Sequence, residues 1–196
     1  MAFEQSTRPT LFLIRHGEKP APVNGKEPDG LSAQGQERAD GLRKVFGKES
    51  IYDIGYIMAE EPKSGLYYSD QRPFDTVKPL SKELNLKIHH DVKRDHYDKA
   101  AKEALSFKGP GNLLLCWEHN ALANIVNAIG VQGYAAATGW SGQVKYPGSM
   151  FDLIWVIPPP YTEITGILSE KVPGLDDSVQ TNAQGNVIPP SALGDM

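Results

Sequence analysis

The sequence contains a single cysteine, Cys116, among 196 residues. One cysteine cannot form an internal disulfide, which is typical of a protein from a reducing compartment. Basic residues are not in excess, because 20 Lys and Arg stand against 24 Asp and Glu, giving a formal net charge of -4. This balance argues against a nucleic-acid-binding protein, which usually carries a basic face, but it is compatible with a local basic pocket.

Long apolar runs are also absent from the sequence. A membrane-spanning helix needs roughly 20 consecutive apolar residues, and no run approaches that length. The first ten residues, MAFEQSTRPT, lack the basic and apolar regions of a secretory signal. These absences predict a cytoplasmic protein that binds neither a membrane nor a nucleic acid. They indicate nothing about the oligomeric state.

Segments typical of strands alternate with segments typical of helices. Short apolar runs predict five strands, at 11–14, 53–59, 86–92, 111–117 and 149–157. Apolar residues at helical spacing predict helices between them, at 35–46, around 74–84, at 97–107 and at 120–129. This alternation is typical of an α/β domain, here a three-layer α/β/α sandwich with a mostly parallel sheet.

Polar and proline residues set the expected limits of these elements. Ser32 is a suitable N-cap for the first helix. Pro79 is expected to kink or interrupt the second helix, whereas Pro73 fits only in its first turn. Three prolines at 158–160 end the last predicted strand. The domain is expected to span residues 1–168. Residues 169–196, rich in Gly, Pro, Asp, Ser and Asn, are expected to form an irregular tail, partly disordered or lying over the surface.

Chemically active side chains follow the predicted strands at the point where each strand ends. The first strand runs into Arg15–Gly17, which includes His16, and the fourth runs into Glu118–Asn120, which includes His119. Arg72 lies at the start of the second helix. Ligands of such sheets bind beyond the carboxyl ends of the strands, so we expect two histidines and two arginines to meet at one edge.

This combination of residue types suits phosphoryl transfer. Arginine is permanently charged and presents a fork of donors that matches phosphate oxygens. A neutral imidazole is a nucleophile toward phosphorus, and a second imidazole donates hydrogen bonds to the oxygens of the transferred group. Gly17 lets the chain turn sharply beside the nucleophile.

Four segments carry a resemblance to a known family. LFLIRHGE, at 11–18, resembles the signature of the histidine phosphatase superfamily, also called the phosphoglycerate mutase-like family. DGLSAQGQERADGL resembles the segment that opens the family's first helix. YYSDQRPFDTVKPL resembles its Ser-x-x-x-Arg-x-x-x-Thr segment, with the spacing of Ser69 and Thr76 slightly shifted. LLLCWEHNALANIV lies at the place of the second catalytic histidine. Taken as a whole, the resemblance covers roughly residues 11 to 156.

The resemblance implies a phosphoglycerate mutase-like fold and a phosphoric monoester hydrolase of the histidine acid phosphatase type. It implies no metal or organic cofactor. By the same resemblance, His16 is the nucleophile that forms a phosphohistidine, and His119 completes the pocket. Arg15 and Arg72 hold the phosphoryl oxygens.

The sequence departs from the family pattern near the second histidine. Glu118 stands where a glycine usually precedes that histidine, and Asn120 follows it where one branch of the family has an acid. The general acid is therefore either Glu118 or Asp95, which lies where the other branch has its acid. The sequence favours Glu118, because it adjoins His119 and because burial beside Trp117 is expected to raise its pKa.

Three functions are compatible with the sequence. The first is a phosphatase that hydrolyses a small phosphomonoester; Lys19 and Asn24, in the loop after the nucleophile, are expected to contact that substrate. The second is a phosphomutase, which ranks lower because no insertion after the second strand is evident to build a closing lid. The third is a non-catalytic module that binds a phosphorylated ligand, since the same scaffold can serve different functions.

Overall fold

The structure is a computed structural model that describes residues 8–62 and 71–190. Its strands are β1 Leu11–Arg15, β2 Ile54–Glu60, β3 Ile88–Val92, β4 Asn112–Trp117, β5 Gly133–Tyr134, β6 Leu153–Ile157, β7 Glu163–Ile164 and β8 Gly166–Ser169. Its α-helices are α1 Ala33–Phe46, α2 Arg72–Leu84, α3 Tyr97–Ser106 and α4 His119–Ile129. None of these helices combines the length and the apolar character needed to cross a membrane, over the residues that are described.

Six strands form the main sheet, in the order β3-β2-β4-β1-β6-β8. The first four of these pair in parallel, whereas β6 and β8 run antiparallel to their neighbours. Strands β5 and β7 form a separate two-stranded sheet. The predicted α/β class with a mostly parallel sheet is confirmed.

The side chains of β1 alternate between two packed faces of the sheet. Leu11 and Leu13 belong to a core cluster that includes residues of α3 and α4, and Phe12 and Ile14 belong to a second cluster with residues of α1 and α2. One pair of helices therefore covers each face, which is the predicted three-layer arrangement. The continuous apolar run of β4 fits this position, because a strand covered on both faces needs no polar alternation.

The end of the predicted domain differs from the expectation. The strand expected at 149–157 begins only at Leu153, and it is not the last strand, because β8 pairs with it beyond the prolines. The pairing joins Leu153 to Ser169 and Val156 to Gly166. A four-residue strand such as β8 is too short to show a clear periodicity in sequence.

Pro79 lies inside α2, and of the two expected outcomes, a kink or an interruption, the interruption is wrong. The helix runs continuously from Arg72 to Leu84, with Pro73 in its first turn. A proline removes one hydrogen bond of the helix. However, Val77 and Leu80 on either side of Pro79 are fully buried, so packing against the sheet holds both halves of the helix in place.

Residues 170–190 follow β8 as a series of turns and bends, with one isolated pairing between Thr181 and Val187. Val172 and Val187 are buried. The indole nitrogen of Trp140 donates to the carbonyl oxygen of Val187 at 2.6 Å. This irregular segment therefore packs against the body of the fold.

The register of β1 and β4 explains why the site forms where it does. The two strands are parallel neighbours, and Arg15 lies opposite Trp117. Because both strands end at the same level, His16 and His119 emerge at the same edge of the sheet. The backbone nitrogen of His16 also donates to the carbonyl oxygen of Trp117 at 3.3 Å.

Candidate active site

A cavity of about 400 Å³ opens at the carboxyl ends of β1 and β4. Its walls contain four cationic side chains and four carboxylates, so the formal charges around it balance. The lining residues are Arg15, His16, Lys19, Glu27, Glu60, Arg72, Arg94, Asp95, Tyr97, Glu118, His119, Asn120, Ala121 and Asn124. The edge therefore brings together all four residues that the resemblance placed in a phosphoryl-binding pocket.

His16 is buried in the wall of this cavity, with 4% of its surface exposed. Its Nδ1 lies 2.7 Å from the carbonyl oxygen of Gly17. A carbonyl oxygen only accepts, so Nδ1 carries the proton and Nε2 keeps its lone pair. Burial lowers the pKa of His16 to about 4, with Arg15 and Arg72 acting in the same direction and the hydrogen bond to Gly17 opposing them. The ring is therefore neutral at pH 7, the state that a nucleophile requires.

The loop after His16 is tied to the first turn of α2. The backbone nitrogen of Gly17 donates to Oγ1 of Thr76 at 2.8 Å, and that hydroxyl donates to the carbonyl oxygen of Arg72 at 2.7 Å. Thr76 thus links the loop after His16 to the backbone of Arg72. Ser69, the other polar residue of the same motif, lies outside the described residues.

Two backbone carbonyl oxygens hold the guanidinium of Arg15 through its Nη1. Its Nη1 donates to the carbonyl oxygens of Gly148 and Met150, each at 2.8 Å, and its guanidinium lies 3.7 Å from the ring centre of Phe151. Its buried Nε has no hydrogen-bond partner among the described residues. Burial lowers the pKa of Arg15. The guanidinium is thereby fixed at the wall of the cavity.

Arg72 is buried at the start of α2 and is held by the loop before α1. Its Nε donates to the carbonyl oxygen of Gly30 at 2.9 Å, and Nη2 donates to that of Pro28 at 2.8 Å. Its Nη1 pairs with a carboxylate oxygen of Glu27 at 3.2 Å. Glu27 also forms an ion pair with Lys19, so one carboxylate joins two cations of the cavity.

Glu118 does not have the raised pKa that was expected for a general acid. It is the N-cap of α4, and its Oε2 accepts from the backbone nitrogens of Asn120 and Ala121 at 2.9 Å and 3.1 Å. Its Oε1 lies 2.5 Å from Nδ1 of His119. Burial raises the pKa of Glu118, but these hydrogen bonds outweigh it and lower the value to about 2. The carboxyl group is therefore ionised at neutral pH, and it contacts His119 and caps the helix.

The remaining candidates differ in whether they border the cavity. Asp95 borders it, with 59% of its side chain exposed, and accepts from Arg94 at 2.9 Å and from the Tyr97 hydroxyl at 3.3 Å. Lys19 also borders it. Asn24 does not: it sits exposed at the tip of a hairpin, with a left-handed φ of 50°. The substrate contact expected for Asn24 stays a prediction, and Asn24 lies outside the lining of the cavity.

Several residues in or next to the site were missed in the sequence, among them Glu60, Glu27 and Phe151. Glu60 is buried at the cavity, and its Oε2 accepts from the backbone nitrogen of Glu118 at 3.1 Å. It ends β2, so the rule applied to the other strand ends also points to it. Glu27 and Phe151 lie in irregular segments, and no pattern in the sequence distinguishes them.

A buried ion network lies behind Glu18, the residue that follows the Gly17 turn. Arg38 of α1 donates to Glu18, Glu170 and Asp176 at 2.7 Å to 3.0 Å. Burial alone would lower the pKa of Arg38, but the three carboxylates raise it. Burial also raises the pKa of Glu170, to about 8, although Arg38 opposes this. The network joins the loop after His16 to the irregular C-terminal segment.

Over residues 8–62 and 71–190, no group of three or more His, Cys, Asp or Glu side chains is arranged to hold a metal ion. Cys116 is fully buried in β4, and burial raises the pKa of its thiol well above the ordinary value. Its thiol is thus not a nucleophile of this site.

Known structures share this architecture. SixA from Agrobacterium tumefaciens superposes with a TM-score of 0.55 and 12% sequence identity, over 82% of this chain and 97% of SixA. The protein histidine phosphatase SixA in complex with tungstate gives a TM-score of 0.53 and 13% identity, over the same shares of the two chains. This chain has the SixA fold. The phosphoglycerate mutase-like fold implied by the sequence resemblance is thereby confirmed, while no protein-family model and no curated protein matches the sequence.

Proposed function

We propose that the protein is a phosphatase that hydrolyses a small phosphomonoester through a phosphohistidine on His16. The observation that carries this proposal is the state of His16: a buried, neutral imidazole whose Nδ1 donates to Gly17 and whose Nε2 keeps a lone pair. Arg15 and Arg72 border the same cavity. A neutral nucleophile between two guanidinium groups is what attack on an anionic phosphoryl group requires.

The first step forms a bond between Nε2 of His16 and phosphorus and breaks the bond from phosphorus to the ester oxygen. The electron pair of the broken bond leaves with that oxygen, which takes up a proton. The ring becomes cationic, and the carbonyl oxygen of Gly17 on Nδ1 stabilises this charge. In the second step, water forms a bond to phosphorus and the bond from phosphorus to Nε2 breaks, with its electron pair returning to Nε2. The water gives a proton to the carboxylate that protonated the ester oxygen, phosphate leaves, and the neutral ring is restored.

The guanidinium and imidazole groups stabilise the charge that develops on the phosphoryl oxygens. Arg15 borders the cavity, and its guanidinium is fixed by the carbonyl oxygens of Gly148 and Met150, so it is positioned to donate to those oxygens. His119 lies at the N-terminus of α4 beside Glu118, where the helix dipole also favours an anion.

Asp95 is the carboxyl group best suited to protonate the leaving oxygen. It borders the cavity and is more exposed than Glu118, so it can reach the outer part of a substrate. Glu118 has a pKa lowered to about 2, and its Oε2 is held by the backbone nitrogens of Asn120 and Ala121, so it takes up a proton less readily than an ordinary carboxyl group. We therefore assign general acid catalysis to Asp95 and the orientation of His119 to Glu118.

A phosphorylated histidine is a second candidate substrate. The carboxyl groups of Glu27 and Glu118, both at the cavity, have lowered pKa values, and a phosphoramidate has a leaving nitrogen that needs less acid assistance than an alkoxide. The fold shared with a protein histidine phosphatase agrees with this candidate. Comparison of a phosphomonoester with a phosphorylated histidine as substrates separates the two.

The deciding experiment measures hydrolysis of p-nitrophenyl phosphate from pH 4 to pH 9 without added metal. Wild-type protein is compared with His16→Ala and with the control His90→Ala, which removes a histidine of β3 that does not border the cavity. We expect activity in the wild type and the control and none in His16→Ala. A folded wild-type protein without activity at any pH contradicts the proposal and favours a binding module. Transfer of phosphate to an added alcohol acceptor in preference to water favours a mutase.

A further inference from the structure

Arg72 pairs with the carboxylate of Glu27 inside the cavity in which the phosphoryl group is proposed to bind. Two of its donor groups are held by the carbonyl oxygens of Pro28 and Gly30, which fix the plane of the guanidinium. Its Nη1 pairs with Glu27 at 3.2 Å. The two carbonyl contacts come from neutral backbone groups, whereas the contact with Glu27 comes from an anion that a ligand anion can replace.

Glu27 binds a second cation of the same cavity. Its other carboxylate oxygen accepts from Nζ of Lys19. The hydrogen bond from Lys19, together with the contact to Arg72, lowers the pKa of Glu27, so the group is an anion at neutral pH. One carboxylate thus occupies two cations in the way that two oxygens of a phosphate would.

The segment that carries Glu27 can move without disturbing the core. Val23 and Lys26 pair across a tight turn formed by Asn24 and Gly25, both with left-handed φ angles. Residues 21–27 are all exposed. The contact between Lys19 and Glu27 is also exposed, at 44% and 39% of the two side chains, and exposed ion pairs are weak. Displacement of Glu27 therefore breaks one exposed contact of low stability, with Lys19, and one contact with the buried guanidinium of Arg72, which the arriving phosphoryl oxygens replace.

We propose that Glu27 is a resident counter-anion that competes with the phosphoryl group for Lys19 and Arg72. A bound phosphate displaces Glu27, and the return of Glu27 assists the release of inorganic phosphate. The residue thereby determines how tightly the site holds a free oxyanion. This inference rests on the proposed function in one respect, since it takes Lys19 and Arg72 as ligands of phosphate.

The test measures the binding of inorganic phosphate by isothermal titration calorimetry at pH 7. Glu27→Gln removes the charge and keeps the shape, and the matched control Glu37→Gln removes a carboxylate from the exposed face of α1, away from the cavity. We expect phosphate to bind about tenfold more tightly to Glu27→Gln than to wild type, and with unchanged affinity to Glu37→Gln. Glu27→Ala, which lacks both the charge and the amide, is expected to follow Glu27→Gln.

The direction of the change in phosphate affinity distinguishes a counter-anion from a residue that only supports Arg72. If Glu27 only supported Arg72, both of its variants would bind phosphate more weakly, and that result overturns the inference. Equal affinities in all four proteins, or no binding in any of them, overturn it as well. Binding is measured without turnover, so it is separable from the proposed function: tighter binding to Glu27→Gln without hydrolysis contradicts the phosphatase alone, and hydrolysis without tighter binding contradicts the counter-anion alone.

Discussion

Gly17 and Gly35 are in direct backbone contact. A Cβ atom on Gly17 would lie 2.8 Å from the carbonyl oxygen of Gly35, and a Cβ atom on Gly35 would lie 2.3 Å from that of Glu18. The turn after the candidate nucleophile and the first turn of α1 therefore fit together only because both residues lack a side chain. This contact explains why the Arg-His-Gly segment and the Leu-Ser-x-x-Gly segment of the sequence each carry a glycine.

Substitution of Gly17 by alanine is expected to displace the loop of His16. The added methyl group meets backbone, which cannot rotate away, so we expect a loss of about 1–3 kcal/mol in the free energy of unfolding and a decrease in activity. Urea denaturation and hydrolysis of p-nitrophenyl phosphate measure the two effects. Gly133→Ala is the control, because a Cβ atom there meets nothing within 4 Å. Similar stability and activity of the two variants would contradict the prediction.

The protonation of His16 is expected to show directly in the nitrogen NMR spectrum of its ring. Burial and the adjacent Arg15 lower its pKa to about 4, so the ring should stay neutral from pH 9 down to about pH 5, with the proton on Nδ1. Activity should fall as the pH falls through this value, because protonation removes the lone pair of Nε2. His16→Gln identifies the signal. A midpoint near the ordinary 6.5, or a proton on Nε2, would disagree with the structure.

The core of the site was predictable because its residues stand at strand ends and helix starts. Arg15, His16 and His119 follow apolar runs whose parallel pairing brings them to one edge. Arg72 begins a helix that packs beside the same edge. Each position is thus fixed by regular structure, and regular structure has a periodicity that the sequence shows.

Other features could not be predicted, because they depend on segments without periodicity. Glu27 lies on an exposed hairpin, and nothing in its local sequence distinguishes it from neighbouring solvated charges. Arg38 lies on an amphipathic helix, where a charged residue is normally exposed. Its burial depends on Glu170 and Asp176, more than 130 positions away in the chain, and a pairing at that separation leaves no local signal.

Substitution of the two candidate acids is expected to give different results. Asp95→Asn should decrease the hydrolysis of an alkyl phosphate by about 100-fold and that of p-nitrophenyl phosphate only slightly, because p-nitrophenolate leaves without a proton. Glu118→Gln should lose about 1 kcal/mol of stability through the weakened N-cap, with the same rate change for both substrates. Steady-state kinetics with the two substrates make the comparison. A dependence on the leaving group in Glu118→Gln, but not in Asp95→Asn, would return the acid role to Glu118.

Removal of Arg38 is expected to destabilise the fold strongly. Arg38→Met keeps the volume of the side chain but leaves Glu18, Glu170 and Asp176 buried without their cation, and a broken buried ion pair costs about 3–5 kcal/mol. Thermal and urea unfolding measure the loss. Arg43→Met is the matched control, because Arg43 lies on the same helix in an ion pair with Glu83 that is half exposed, and such pairs contribute little. Equal losses in the two variants would show that the network does not hold the C-terminal segment.

The protein is expected to become less stable as the pH rises and the buried carboxyl group of Glu170 loses its proton. Burial raises the pKa of Glu170 from 4.5 to about 8 in the folded state, so the folded protein binds more protons than the unfolded chain between these values. Its contribution is therefore complete below pH 4.5 and is lost as the pH rises through about 8. Glu170→Gln is neutral at every pH, so the free energy of unfolding measured between pH 5 and pH 8.5 should decline less steeply in this variant than in wild type. Parallel curves would mean that Glu170 is ionised in the folded protein and that Arg38 alone balances the cluster.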